Sequence, residues 1–233
     1  MFDLIIPCLF AHLDKLYLTL ESFNNNNLIN EIIIILNNVE NNVFDKKKFN
    51  IFKNIEFLIY NDKIFPGIAR QIGIKHSSSD YIIFHDADDE PHPDKILILK
   101  NCFEKYKCDH ILHFFQPLEF KFINYNPDRC IDNIICTKDI IDFHKKYNSV
   151  NFGNIINQRV SHGLIAVKKS SIIDIEWVNK KSGEDKDFNL KSLLKGNKLI
   201  IIDCFLSKYD KYHTKMMKKY NNNAWMKLKN YLI

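Results

Sequence analysis

The run Glu31-Ile-Ile-Ile-Ile-Leu36 constrains the fold more than any other stretch of the chain. Consecutive isoleucines leave no polar face for water, so a strand made of them must be covered on both sides. Their β-branched side chains also disfavour the helical alternative. Comparable strand-sized segments occur at Phe2–Pro7, Ile55–Tyr60 and Tyr81–His85. Between them, Leu13–Phe23 places Leu13, Leu16, Tyr17, Leu20 and Phe23 at helical spacing, and Pro66-Gly67 opens a helix through about His76. Strand and helix alternating at this interval predict an α/β fold with a mostly parallel central sheet flanked by helices.

Beyond the fourth strand, Pro93-Asp94 is expected to start a helix that runs to about Lys107. An apolar stretch follows at Ile111–Phe115, then a loop through Asn124–Arg129 and a helix near Lys138–Lys146. Gly163–Lys168 reads as a strand, Asp185–Lys195 as a helix stopped by Gly196, and Lys198–Asp203 as a last strand. At 233 residues the chain suits one compact domain, with a mild division near residue 110. A basic, aromatic tail over 216–233 reads as a packing helix or as a peripheral membrane contact.

Composition narrows the function classes. The net charge is +5, but only Arg70, Arg129 and Arg159 among the 33 basic residues are arginines, which argues against a nucleic-acid reader. Six cysteines without a Cys-x-x-Cys pair suggest reduced thiols and neither a zinc site nor a disulfide frame. No apolar run approaches the roughly 18–20 residues of a membrane span. No secretory leader pattern is present at the N-terminus either, so a cytoplasmic location is expected.

The chemistry concentrates in Tyr81-Ile-Ile-Phe-His-Asp-Ala-Asp-Asp89. A hydrophobic strand delivers Asp86, Asp88 and Asp89 just past its C-terminal end, the edge at which open parallel sheets bind ligands. Carboxylates this close repel unless a cation neutralises them, and oxygen ligands suit Mg²⁺ or Mn²⁺. The same residues can also form a solvated acidic turn ahead of the Pro93 helix. A calcium loop is excluded, because Pro91 and Leu97 stand where it needs glycine and an acid. An aspartyl nucleophile of phosphatase type is disfavoured by the motif's place after the fourth strand and by Glu90. His85 points away from Asp86 and is expected in the core.

Phe65-Pro-Gly-Ile-Ala-Arg-Gln-Ile-Gly73, followed by the strand ending in Asp86-Ala-Asp88, resembles the core of family-2 glycosyltransferases of the GT-A fold. In that family an Ala-Arg-Asn-x-Gly helix precedes a strand ending in Asp-x-Asp. Leu4-Ile-Ile-Pro7 and Leu18-Thr-Leu-Glu-Ser22 resemble the family's first strand and helix. Gly183-Glu-Asp-Lys-Asp-Phe188 resembles its Gly-Glu-Asp-x-x-Phe acceptor motif, and Gly163 with Lys168–Ser170 the strand leading into it. The resemblance spans about residues 1–215 and implies one GT-A domain. Its nucleotide-sugar half would cover about 1–110 and its acceptor half 111–215.

The resemblance implies a metal-dependent, inverting transfer of a sugar from a nucleoside diphosphate, UDP by default, to an acceptor hydroxyl. The acceptor would be a glycan, a lipid-linked molecule or a protein. Asp86 and Asp88 would manage a Mn²⁺ or Mg²⁺ ion on the diphosphate, with His213 as a further ligand. Pro7, Asn37, Arg70 and Ala87 would line the nucleotide site. Asp185 would act as general base and Glu184 would orient the acceptor, although Asp185 also suits ordinary helix capping. Asp89 would touch the donor sugar or cap its loop.

Three departures from the family pattern stand out. Asn37-Asn38 replaces an acidic pair that reads the base, Gln71 replaces an asparagine, and Pro7-Cys8-Leu9-Phe10 lacks the usual hydroxyl and amide. They keep a second reading open, a catalytically altered glycosyltransferase-like module that binds nucleotide or carbohydrate. Nucleotidyl transfer is disfavoured, because residues 7–16 contain no glycine to wrap a triphosphate.

Overall fold

The computed structural model describes residues 1–39, 44–122, 135–136, 142 and 160–209. β1 (Phe2–Leu9), β2 (Ile29–Asn37), β3 (Ile55–Ile59) and β4 (Tyr81–Phe84) pair in parallel in the order β3-β2-β1-β4. α1 (Leu13–Phe23) links β1 to β2, and α2 (Pro66–His76) links β3 to β4. The isoleucine run lies in β2 and is buried on both faces. Ile32, Ile34 and Leu36 join the core shared with α1 and with α3 (Lys95–Tyr106), while Ile33 and Ile35 join the core shared with α2.

The second half adds β6 (His110–Pro117), β8 (Val160–Lys168) and β9 (Leu199–Tyr209), which continue the sheet as β4-β8-β6-β9. Short β5 (Glu90–Pro91) closes that edge, and β7 (Ile135–Cys136) also pairs with β9. β8 runs antiparallel to β4 and β6, β6 and β9 are parallel, and β5 and β7 are antiparallel to β9. The sheet is therefore parallel in its first half and mixed in its second. Because β8 runs backwards relative to β4, its early residues lie beside the end of β4. Continuing the register beyond Ile83–Ala166 sets Gly163 opposite Asp86.

Several boundaries differ from the sequence reading for physical reasons. β9 runs on to Tyr209, because its pairing with β6 is interrupted by irregularities after His113 and Phe114 that break the apolar period without ending the strand. The helix expected at Pro93-Asp94 begins at Lys95, and β5 precedes it. α4 (Lys169–Ile172) follows β8, and α5 (Glu184–Leu194) starts at Glu184 with Gly183 as its N-cap. The readings at Asn124–Arg129 and in the tail lie outside the described residues, as does Lys138–Lys146 apart from residue 142.

Asp3 ties the two crossovers together. Its buried carboxylate accepts from Ser77 Oγ, Ser78 N, Ser79 N, Ser79 Oγ and Asn30 Nδ2 at 2.7–2.9 Å. Burial alone would raise its pKa, but these donors hold it below the ordinary value of 3.8. Cys8, Cys102, Cys108 and Cys204 are buried thiols outside any disulfide, and burial pushes Cys8 and Cys108 up to about 12. Among the described residues no helix is long and apolar enough to cross a membrane.

Candidate active site

β1 outruns β4 at the C-terminal edge of the parallel strands, where open sheets of this kind form a ligand crevice. The Ile5 carbonyl accepts from His85 N at 3.0 Å, and Pro7, two residues on, faces the same edge beyond the end of β4. A missing N–H costs no ladder bond there, which explains a proline inside a central strand. Asn37, at the end of β2, is buried with both ends of its amide engaged. Nδ2 donates to the Cys8 carbonyl at 3.1 Å and Oδ1 accepts from Ile64 N at 3.1 Å. Asn37 thus pins the first strand to the loop before α2.

The acidic turn sits at the mouth of this crevice. The Asp86 and Asp88 side chains are 34% and 25% exposed, so both present carboxylate surface to solvent. Ala87 is buried, and its carbonyl accepts from the Thr19 hydroxyl at 3.0 Å, which ties the acidic turn to α1. Asp89 is buried, and neither of its carboxylate oxygens has a hydrogen-bond partner. Burial, then the charges of Asp86 and Asp88, push its pKa well above the usual carboxylate range, against the pull of Lys95 and Arg70. Asp86 is also raised by burial, against the pull of Arg70 and with a further push from Asp88. His12, just before α1, places Nδ1 4.0 Å from Asp88 Oδ2.

Arg70 joins this turn to the second half of the molecule. Its Nη2 lies 2.7 Å from Asp86 Oδ1 and its Nη1 3.3 Å from Glu184 Oε1, with only 3% of the side chain exposed. Trp177 flanks it, 5.1 Å from the guanidinium carbon to the ring centroid, and itself stacks on Phe188 at 4.1 Å. Gln71 holds that tryptophan by accepting from Trp177 N at 3.0 Å. Burial, opposed by Arg70, raises the Glu184 carboxyl.

Gly163 makes the meeting possible. A Cβ there would lie 3.0 Å from Arg70 Nη2 and 3.9 Å from Asp185 Oδ2. The bare backbone gives the guanidinium room that a Cβ would crowd, while Asp185 stands at ordinary contact distance. Gly183 has φ +80°, which a side chain would strain, and this turn aims Glu184 and Asp185 from the first turn of α5. Asp185 does not cap its helix, since the N-cap is Gly183; its Oδ1 accepts from Lys186 N at 2.7 Å.

Among the described residues no three His, Cys, Asp or Glu side chains form a ready-made metal cluster. Asp86 and Asp88 nevertheless fit Mg²⁺ or Mn²⁺. Such ions commonly take one or two carboxylates and fill the remaining positions with water and substrate phosphates. The crowded, partly exposed carboxylates offer that partial set. His213 lies outside the described residues.

The profile of glycosyl transferase family 2 matches residues 3–165. The chain belongs to that family. Crystal structures of S. aureus TarS residues 1–349 share its fold. The complex with UDP-GlcNAc aligns over 99% of this chain and 65% of that one, at a TM-score of 0.67 and 13% identity. The complex with UDP aligns over 99% and 63%, at 0.65 and 13%. TarS 1–349 without a named ligand aligns over 90% and 60%, at 0.64 and 14%. The chain therefore spans about 60% of the length of these neighbours. No curated protein matches it. The GT-A expectation holds for this α/β family member, with the sheet mixed in its second half.

The structure brings Arg70, Asp86, Asp88, Glu184 and Asp185 to one cleft, with Pro7 and Asn37 along the crevice edge. Sequence reasoning missed Lys95, Trp177 and His12. Only Lys95 carried a local signal: a cation in the first turn of a helix, where the dipole disfavours it.

Proposed function

We propose that the protein is a metal-dependent, inverting glycosyltransferase that moves a sugar from a nucleoside diphosphate sugar to an acceptor hydroxyl. The observation that carries this reading is the shared cleft: Asp86 and Glu184 meet on Arg70, with Asp185 close to Gly163 on the adjoining strand. Family membership supports the reaction class, and the neighbours crystallised with UDP-GlcNAc and UDP support a UDP-sugar as the first donor to try.

Asp86 and Asp88 are the residues that would hold a divalent cation, which when bound supplies positive charge to the leaving diphosphate. Arg70 orients Asp86 on the donor side and Glu184 on the acceptor side. Asp185 takes the proton of the acceptor hydroxyl from the face opposite the leaving group, as inversion requires. Glu184, fixed by Arg70, orients that acceptor. The Asn37 amide is held by Cys8 and Ile64, which fixes its side chain at the nucleotide end of the crevice. The acceptor is a glycan, a lipid-linked molecule or a protein.

The test is a titration of UDP with Mn²⁺ and with EDTA, followed by a panel of nucleotide sugars read by diphosphate release. Metal-enhanced UDP binding together with turnover of at least one donor supports the proposal. Nucleotide binding without turnover of any donor would favour the altered binding module instead.

A further inference from the structure

Lys95 is the first residue of α3 and is completely buried, one of the largest side chains in the molecule with no exposed surface. An ammonium group is costly there twice over. The helix N-terminus repels positive charge, and burial pulls the Lys95 pKa down to about 7, opposed by Asp89 and Asp86. Such a group persists where its hydrogen bonds hold something in place.

Those bonds lead to the acidic turn. Lys95 Nζ lies 3.0 Å from Ser207 Oγ of β9 and 3.2 Å from His85 Nδ1. His85 Nε2 lies 3.2 Å from the Asp89 carbonyl. The Lys95 ammonium has only donors to offer, so His85 Nδ1 accepts from it and Nε2–H donates to the Asp89 carbonyl. The Thr19 hydroxyl reaches the same carbonyl at 3.1 Å. From the other side, His92 N donates to the Leu206 carbonyl at 3.1 Å, and Lys208 Nζ pairs with Glu90 Oε1 at 2.8 Å. The charged and titratable groups around Lys95 are Asp89, Asp86, His85 and His113.

We propose that Lys95 is a positioning residue for the transfer reaction: through His85 and Ser207 it locks the Asp86–Asp89 turn against β9, so that Asp86 and Asp88 hold their cation-binding arrangement before the metal arrives. This inference rests on the reading of that turn as the diphosphate–cation site. Lys95 touches neither metal nor substrate. Its effect is to remove the ordering cost that cation binding would otherwise carry, as supporting groups behind metal ligands do elsewhere.

The experiment uses the full chain, the variants Lys95→Met and Ser207→Ala, and a donor that the wild type turns over. Diphosphate release is measured against Mn²⁺ concentration, with acceptor KM and the thermal midpoint alongside. Lys95→Met is expected to raise the half-saturating Mn²⁺ concentration at least tenfold, in line with the roughly 10–100-fold effects of such supporting groups on metal affinity. Ser207→Ala is expected to shift it in the same direction by about threefold, and acceptor KM should stay within about twofold in both. If Lys95→Met does not fold, the Ser207→Ala shift decides. Folded variants with an unchanged Mn²⁺ requirement would overturn the role of Lys95, even with a lowered kcat or midpoint. A wild type whose turnover ignores Mn²⁺ would overturn the metal reading on which it rests.

Discussion

Arg70 Nη2 lies 2.7 Å from Asp86 Oδ1 while Nη1 of the same guanidinium reaches Glu184 Oε1 at 3.3 Å, so Arg70 bridges the two halves of the domain. Without it, two carboxylates from opposite halves would be left without their shared cation. Arg70→Met should therefore destabilise the fold by about 3 kcal/mol, the low end for a broken buried pair, because Asp86 keeps some solvent. Urea unfolding at neutral pH checks this. Arg70→Lys should recover less than half of the loss, since an ammonium cannot fork between two carboxylates.

Gly163 should be intolerant for a related reason. A methyl group there meets Arg70 Nη2 at 3.0 Å, and the guanidinium has little room to retreat between Trp177 and the carboxylates. Gly163→Ala is expected to lower kcat by about tenfold or more through a displaced fork. The UDP dissociation constant should change less than about threefold. Parallel kinetics and nucleotide titration separate the two effects.

Much of this arrangement could be read in the chain beforehand, and the remainder was hidden for identifiable reasons. The isoleucine run announced a doubly covered strand, and Arg70, Asp86-Ala-Asp88 and Gly183-Glu-Asp185 each carried a pattern. The reversed direction of β8 was not legible, because an apolar strand pattern has no polarity. The full length of β9 was masked by the irregular pairing near Asp203. Lys95 showed only the oddity of a cation opening a helix, and its partners His85 and Ser207 are 10 and 112 residues away in sequence. Asn37 looked available to a base, whereas both ends of its amide are engaged in the fold.

Asp3 gives a pH-dependent prediction. Its hydrogen bonds depress the folded-state pKa below 3.8, so the carboxylate contributes stability that is present above the unfolded value and lost as pH falls through the folded one. Asp3→Asn should cost about 2–3 kcal/mol at pH 7, because hydrogen bonds to a charged acceptor are lost and Ser78 N and Ser79 N are left underused. The gap between variant and wild type should narrow below about pH 4. Urea midpoints measured across that range would show no such narrowing if the carboxylate were not the source.

Asp88 offers carboxylate surface at the crevice mouth without an ion pair to Arg70, and is the clearest candidate to meet a cation. Asp88→Ala should abolish the gain in UDP affinity on adding Mn²⁺ while leaving the weaker, metal-free binding in place. Calorimetric titrations with Mn²⁺ and with EDTA provide the comparison. An undiminished Mn²⁺ effect would move the ion away from this residue.

Asp185 stands at the start of α5, freed from capping duty by Gly183, with Oδ2 turned toward Gly163 and the Arg70 fork. A carboxylate so placed has little to do for the helix, and its replacement by an amide of equal size should leave the fold intact. On the proposed mechanism, Asp185→Asn would remove the proton acceptor while keeping the shape of the site. A missing general base costs about 10²–10⁴-fold in rate, and that loss should fall on kcat. UDP affinity and the Mn²⁺ requirement should remain within about twofold, because neither depends on accepting that proton. Glu184→Gln should behave differently, disturbing stability as well as rate through its contact with Arg70. If both variants instead lost nucleotide binding in parallel, the first turn of α5 would belong to the donor pocket, and the division of labour between the two halves of the cleft would have to be redrawn.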